Sequence, residues 1–413
     1  MRRPLMVVLG CVVAGLMILA PMLSGQSPGE TSTADVAKAG MDAERLARIP
    51  ARMQEFVDKG TIAGAVMLVA RHGVVASLEA VSYQDLESKK PMRTDTIFAI
   101  TSMTKSLTAT GVMVLLEDGR LLLSDPVEKH LPEFRGQMMV DQRDGDKVLA
   151  VKKSSRPITI WDLLTHTSGV LRDWDSQRDK TLAETARSFA REPLEFEPGT
   201  KFSYSNAGYG TLGRIIEVVS GQPYEVFLDE RVFRPLGMKD TFYFLPPEKY
   251  DRIATVYNLN DGKLQKIPAP ETTTGKKYVS PSGGCYSTAS DLFAFYQMVL
   301  NGGTYKGVRI LSRAAVEAMT SDHTGDLPVF GAAPAPSGPV SRPYGFGWNI
   351  VREPLARTPF LSIGSYFHGG ETGTFDWIDP KKDSVTLFLI QRYPSMMEEA
   401  PLFLTLAGAA IVD

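Results

Sequence analysis

Ser102-Met103-Thr104-Lys105 lies between two apolar clusters, Ile97, Phe98 and Ile100 before it and Leu107, Val112 and Met113 after it. The stretch from Ser102 to Asp118 is rich in Leu, Met, Val and Ala and is closed by Gly119, which predicts a helix. Positions i and i+3 of a helix share a face, so the Ser102 hydroxyl and the Lys105 ammonium group become neighbours. A free serine is a weak nucleophile and needs an adjacent base. A lysine serves only where burial or a nearby charge lowers its pKa from about 10.4, and the apolar flanks supply burial. Backbone N–H groups at the helix start face developing negative charge. About one S-x-x-K pair is expected by chance in a chain of this size, so the rest of the sequence decides what this one means.

Outward from that helix, Ala63 to Ala70 and Val74 to Val81 are β-rich runs parted by Arg71-His72-Gly73, the pattern of a hairpin. Before them, Leu46, Ile49, Met53, Phe56 and Val57 recur at helical spacing between Met41 and Lys59. From Leu121 to about Tyr250 helices and turns dominate, with helices expected near Asp162 to Thr165, Gly208 to Ser220 and Tyr224 to Phe233. Ser290 is the expected cap of a helix over Asp291 to Asn301, stopped by Gly302-Gly303. Strands return at Phe346 to Val351, Ser362 to Phe367, Phe375 to Ile378 and Ser384 to Gln391, and a last helix is expected over Pro401 to Ile411. The expectation is an α/β (α+β) fold: one antiparallel sheet flanked by helices and built from both chain ends, with a mostly helical region inserted. The α/β part covers about 41–110 and 251–413, and the helical part about 111–250.

Two further segments carry chemistry. Tyr204-Ser205-Asn206 precedes a helix in a loop-like stretch; a phenol and an amide two residues apart face one side if the segment is extended. Tyr204 beside Lys105 is expected to hold a depressed pKa and to shuttle the nucleophile's proton, and Asn206 to hydrogen-bond Lys105 and the acyl chain. A buried tyrosine with a helix-capping asparagine is the plain structural alternative. His368-Gly369-Gly370-Glu371 follows an apolar strand. Its glycines let a ligand backbone come close, and the Glu371 N–H can join the Ser102 N–H in an oxyanion hole. A strand-end turn is the alternative there.

The order and context of these segments, helix start, loop and late strand, resemble the serine β-lactamase and penicillin-binding protein superfamily. The resemblance is closest to the class C β-lactamase and family VIII carboxylesterase branch, where the second motif is Y-x-N. Ile158-Thr159-Ile160-Trp161-Asp162-Leu163-Leu164-Thr165-His166-Thr167-Ser168-Gly169, Gly237-Met238 and Tyr344-Gly345-Phe346-Gly347-Trp348 are similar to landmarks of that family, from Met41 to the C-terminus. The resemblance implies an acyl-enzyme hydrolase without cofactor or metal, with Ser102, Lys105 and Tyr204 catalytic, the Ser102 and Glu371 N–H groups holding the oxyanion, and Asn206, His368, Gly369, Gly370 and Trp348 on the substrate. The third motif departs from K-T-G. A mostly neutral histidine and a glycine replace the Lys-Thr pair that helps hold a substrate carboxylate, which points to small neutral esters. A β-lactamase, a D,D-peptidase, an acyltransferase and a non-catalytic cell-wall-binding relative are the alternatives. His166 is read as part of a structural turn and not as a triad base. Gly25-Gln26-Ser27-Pro28-Gly29 matches G-x-S-x-G without the strand-turn-helix context that motif needs.

Bulk properties bound the rest. In 413 residues, 45 basic and 47 acidic side chains leave a net charge of -2, which excludes the basic surplus of a nucleic-acid binder. Hydrophobic residues at 43% and charged residues at 22% are ordinary for a globular chain. The resemblance implies a small ester or lactam as the partner; oligomeric state is left open. Arg2 and Arg3 precede an apolar run from Leu5 to Leu23 and then small polar residues, the pattern of an export signal over about 1–25 followed by a linker over 26–40. Cleavage and a periplasmic or secreted product are expected, with membrane anchoring through residues 5–23 as the alternative. Once the signal is removed, Cys285 has no second cysteine to pair with. The five histidines are scattered, with no HExxH or CxxC pattern.

Overall fold

The structure, a computed structural model, describes residues 32–171, 180–267, 277–331, 342–395 and 398–413. The expected export signal and the apolar run at 5–23 lie outside the described residues. The two apolar runs fold as the hairpin of β1 (Gly64–Arg71) and β2 (Val74–Asp85). His72 and Gly73 both have positive φ, 54° and 72°, as a two-residue turn needs if the strands are to keep their right-handed twist. The sheet continues with β3 (Lys90–Pro91) on one side and with β4 (Asn349–Ile350), β5 (Tyr366–Gly369), β6 (Thr374–Asp379) and β7 (Ser384–Leu389) from the far end of the chain. Its order is β4-β5-β6-β7-β1-β2-β3 and all its pairs are antiparallel. β1 joins the two chain ends, with Val66 paired to Ala80 on one side and to Leu389 on the other.

β1 is buried along its whole length because both faces are covered. Ala65, Met67 and Val69 enter a core with Met53 and Phe56 of α2 (Ala43–Asp58) and Phe403 of the C-terminal helix Glu399–Ala409. Val66, Leu68 and Ala70 enter a second core with Leu107, Val112 and Met113 of α3 (Thr104–Glu117). Each large aliphatic side chain so buried contributes about 1.5–3 kcal/mol. The sheet is thus the middle of three layers: the helix Ala289–Leu300 packs on one face, and α3, which follows the nucleophile, shares the core on that side.

Four local expectations are corrected. Residues 33–38 of the expected linker form a short helix, Thr33–Lys38, capped by Ser32; Val36 and Ala39 are buried in the outer core, so the globular unit starts before Met41. The expected helical part contains a hairpin, Met138–Asp144 with Lys147–Lys153. The helix Ala289–Leu300 is capped by Thr288, whose side chain accepts from Asp291 N–H, and not by Ser290. The strand expected over Phe346 to Val351 shortens to β4. Gly345 and Gly347 before it are consumed by close packing: a Cβ on Gly347 would sit 2.9 Å from Ser106 Cα and 3.0 Å from the Lys105 carbonyl oxygen.

Among the described residues no helix is long and apolar enough to cross a membrane, and no cluster of His, Cys, Asp and Glu could hold a metal ion.

Candidate active site

Ser102 sits in the single 3-10 turn Thr101–Met103 that leads into α3. Thr101 has φ 42°, a left-handed conformation uncommon outside glycine. The turn is pinned from two sides. The Ile100 N–H donates to the Cys285 carbonyl at 3.0 Å, and the Thr374 hydroxyl donates to the Ile100 carbonyl at 3.2 Å. Lys105, one turn on, is wholly buried. Its Nζ stands 3.2 Å from Ser102 Oγ, 2.9 Å from Asn206 Oδ1 and 2.7 Å from the Ser282 carbonyl oxygen. A lysine amine in its base form has two N–H donors and one lone pair. Asn206 Oδ1 and the Ser282 carbonyl oxygen accept from it, and in the base form its lone pair can serve the Ser102 hydroxyl.

Asn206 is the first residue of a helix, Asn206–Ser220, yet it does not cap it. Ser205 does, its Oγ accepting the Gly208 N–H at 2.8 Å. The cap leaves the Asn206 amide available for Lys105. The Tyr204 ring lies with its centroid 4.5 Å from Lys105 Nζ. Its expected depressed pKa is corrected: burial pushes the phenol well above its usual value, against smaller downward effects from a Ser102 hydrogen bond and from Arg342. Tyr204 is therefore a neutral hydroxyl, able to donate a proton and not to abstract one at rest.

The third motif is close at hand but acts differently from expectation. His368 on β5 is buried. Its Nδ1 donates to the Gly369 carbonyl at 2.9 Å, so its Nε2 accepts from the Tyr344 hydroxyl at 3.3 Å. Burial, reinforced by Lys105, pushes its pKa down to about 3, and the ring backs Tyr204 at 6.2 Å between centroids. His368 supports the site from behind Tyr204. The glycines serve the protein's own packing. A Cβ on Gly370 would lie 2.7 Å from the Ile100 carbonyl oxygen, and one on Gly369 would strike the Phe375 ring. Gly370 and Gly373 close the turn between β5 and β6. Trp348 is likewise corrected from substrate contact to core: it is fully buried, 5.7 Å from the Tyr296 ring and 5.2 Å from Tyr366.

A cleft of about 490 Å³ opens at Ser102 and is lined also by Asn206, Glu371, Tyr278, Tyr286 and Tyr393. Another cavity of about 360 Å³, beside Arg135 and Arg156, carries none of the motif residues. Among the described residues, Glu371 is the one charged residue lining the Ser102 cleft. Sequence reasoning missed three contributors. The Ser282 carbonyl is backbone, invisible to side-chain motifs, although Gly283-Gly284 marks the turn that presents it. The tyrosines of the cleft wall are spread from 278 to 393. Arg342, 5.7 Å from the Tyr204 ring, adjoins the Tyr344 to Trp348 landmark.

Fold and site together define a serine hydrolase, with the nucleophile at a helix start and a buried lysine and a neutral tyrosine around it. The beta-lactamase family model matches residues 49–410, and the chain belongs to that family. It is 31% identical over 366 residues to Protein Rv1367c of Mycobacterium tuberculosis, covering 85% of this chain and 91% of the relative. It is 33% identical over 287 residues to Esterase EstB of Burkholderia gladioli, covering 61% of this chain and 69% of the relative. That likeness supports the family VIII branch indicated by Tyr204-Ser205-Asn206. Among solved structures, EstCE1, described as a hydrolase with promiscuous acyltransferase activity, superposes with a TM-score of 0.73 at 25% identity, over 92% of this chain and 100% of its own.

Proposed function

We propose that this protein is a carboxylesterase for esters whose acid part is uncharged. The observation that carries the reading is the third motif. Where a carboxylate-binding ammonium and hydroxyl would be needed, the chain presents a buried neutral His368 and a glycine, and Glu371 gives the cleft a negative charge. Ser102 Oγ attacks the ester carbonyl carbon as its proton passes to Lys105 Nζ. The N–H groups of Ser102 and Glu371 hold the oxyanion. As the tetrahedral intermediate collapses, the Tyr204 hydroxyl gives its proton to the leaving alkoxide and regains one from Lys105. Water repeats the sequence on the acyl-serine and releases the acid. The likeness to an esterase and to EstCE1 supports this reading, and the EstCE1 description also supports acyl transfer to an added alcohol as a side reaction.

The test sets p-nitrophenyl acetate and butyrate beside nitrocefin and a D-Ala-D-Ala peptide. Ester kcat/KM is expected to exceed the other two by at least a hundredfold, and a fluorophosphonate should add one mass increment that Ser102→Ala abolishes. Nitrocefin turnover equal to ester turnover, or full activity in Ser102→Ala, overturns the proposal. Absence of any label on the wild-type protein indicates a non-catalytic relative.

A further inference from the structure

The segment bearing Tyr204 is held by a residue that the reaction itself does not use. His166 accepts two backbone hydrogen bonds that straddle Tyr204: the Ser203 N–H reaches its carbonyl oxygen at 2.8 Å, and the Ser205 N–H reaches its ring Nδ1 at 2.9 Å. The imidazole lies 4.6 Å from the Tyr204 ring, centroid to centroid, and 5.0 and 4.8 Å from the rings of Tyr209 and Tyr344. Two costs accompany this placement. The backbone of His166 is left-handed at φ 60°, and the ring is wholly buried with no hydrogen-bond partner for Nε2 among the described residues. Side chains kept against both penalties mark places where geometry is over-determined.

We propose that His166 is a positioning residue for Tyr204: its carbonyl oxygen and its Nδ1 lone pair fix the peptide groups on either side of the phenol and so aim the hydroxyl at Ser102. The inference rests on the catalytic role proposed for Tyr204. It requires the neutral tautomer with the proton on Nε2, because an imidazolium has no lone pair to offer Ser205. Burial holds the ring neutral, its pKa well below the usual value. Sequence Leu164-Thr165-His166-Thr167-Ser168-Gly169 thereby gains a task beyond turning the chain.

Asparagine tolerates the left-handed backbone, and its Oδ1 can replace the Nδ1 acceptor. Glycine tolerates the backbone and offers no acceptor. With p-nitrophenyl acetate, His166→Asn should keep kcat within about tenfold of wild type, whereas His166→Gly should lose about a hundredfold in kcat at a KM within threefold, and added imidazole should recover part of it. A folded His166→Gly protein with wild-type kcat, or a folded His166→Asn protein as slow as His166→Gly, overturns the inference. If neither variant folds, nitrogen chemical shifts of wild-type His166 decide: an acceptor-type Nδ1 and a protonated Nε2 support the inference, and a proton on Nδ1 overturns it. Wild-type protein that neither labels at Ser102 nor turns over esters refutes the ester-hydrolase reading instead, and leaves the nitrogen measurement to judge the His166 geometry.

Discussion

Asp376→Asn should stabilise this protein, and by an amount that depends on pH. Asp376, on β6 beside β5, is fully buried. Its Oδ1 accepts the His368 N–H at 3.0 Å. Its Oδ2 has no well-formed hydrogen bond among the described residues, with the Tyr296 hydroxyl its polar neighbour. Burial pushes the carboxyl up to about 8, against about 4 in an unfolded chain. Between those values the folded protein keeps a proton that the unfolded chain has released, so stability falls as pH rises through the window and is level on either side. Each unit is worth about 1.4 kcal/mol, giving a ceiling on the order of 5 kcal/mol between pH 4 and pH 8. Asparagine keeps the acceptor for His368 and cannot ionise. Thermal melts of both proteins at pH 4.5 and 8.5 cancel every other titration in the difference. The variant should gain about 3–6 °C more at the higher pH, scaled from the per-residue unfolding entropy. An equal shift at both pH values, or a variant less stable at pH 8.5, refutes the buried neutral carboxyl.

Lys105→Met and Tyr204→Phe should each lower kcat by about a thousandfold, and the double variant should be no slower than the worse single one, because the two groups move one proton; steady-state ester kinetics showing additive losses would contradict the shared relay. Glu399→Gln strands the buried Arg392 guanidinium, 2.7 Å from Glu399 in the native pair and 1% exposed, and should cost about 3–5 kcal/mol by urea unfolding, much of it recovered in Arg392→Met/Glu399→Leu. Gly347→Ala places a methyl against the α3 backbone at φ 85° and should cost at least about 1–3 kcal/mol and lower kcat by displacing Ser102; an unchanged melting temperature would show that the contact relaxes.

What was legible in the sequence was whatever depends on a few neighbouring residues. The β1-β2 hairpin showed in two apolar runs around Arg71-His72-Gly73, and the pairing of Ser102 with Lys105 followed from helix periodicity. The sheet built from both ends could be read because the apolar strand segments were grouped there. The Met138–Lys153 hairpin was missed because it is mostly exposed, so no face had to alternate cleanly. The Thr33–Lys38 helix was missed because only Val36 and Ala39 turn inward. Trp348 was assigned to substrate because a motif gives residue types without depth; three-dimensional packing places it in the core. The Tyr204 phenol was misjudged for a related reason: proximity to Lys105 was visible, whereas the desolvation that outweighs it needs the whole fold.

The pairing of β1 with β7 also sets a timetable for synthesis. A ribosome adding 5–20 residues per second leaves β1 exposed on that side for roughly 15–60 s before β7 emerges. During that interval a strand apolar from Gly64 to Ala70 has one unsatisfied edge, and the turn bearing Ser102 lacks the Thr374 contact that pins it. The nascent chain therefore lacks both the sheet pairing and the contact at the Ser102 turn until β6 and β7 have been made. An unpaired apolar edge is a template for aggregation, so that interval is when the chain most needs a chaperone.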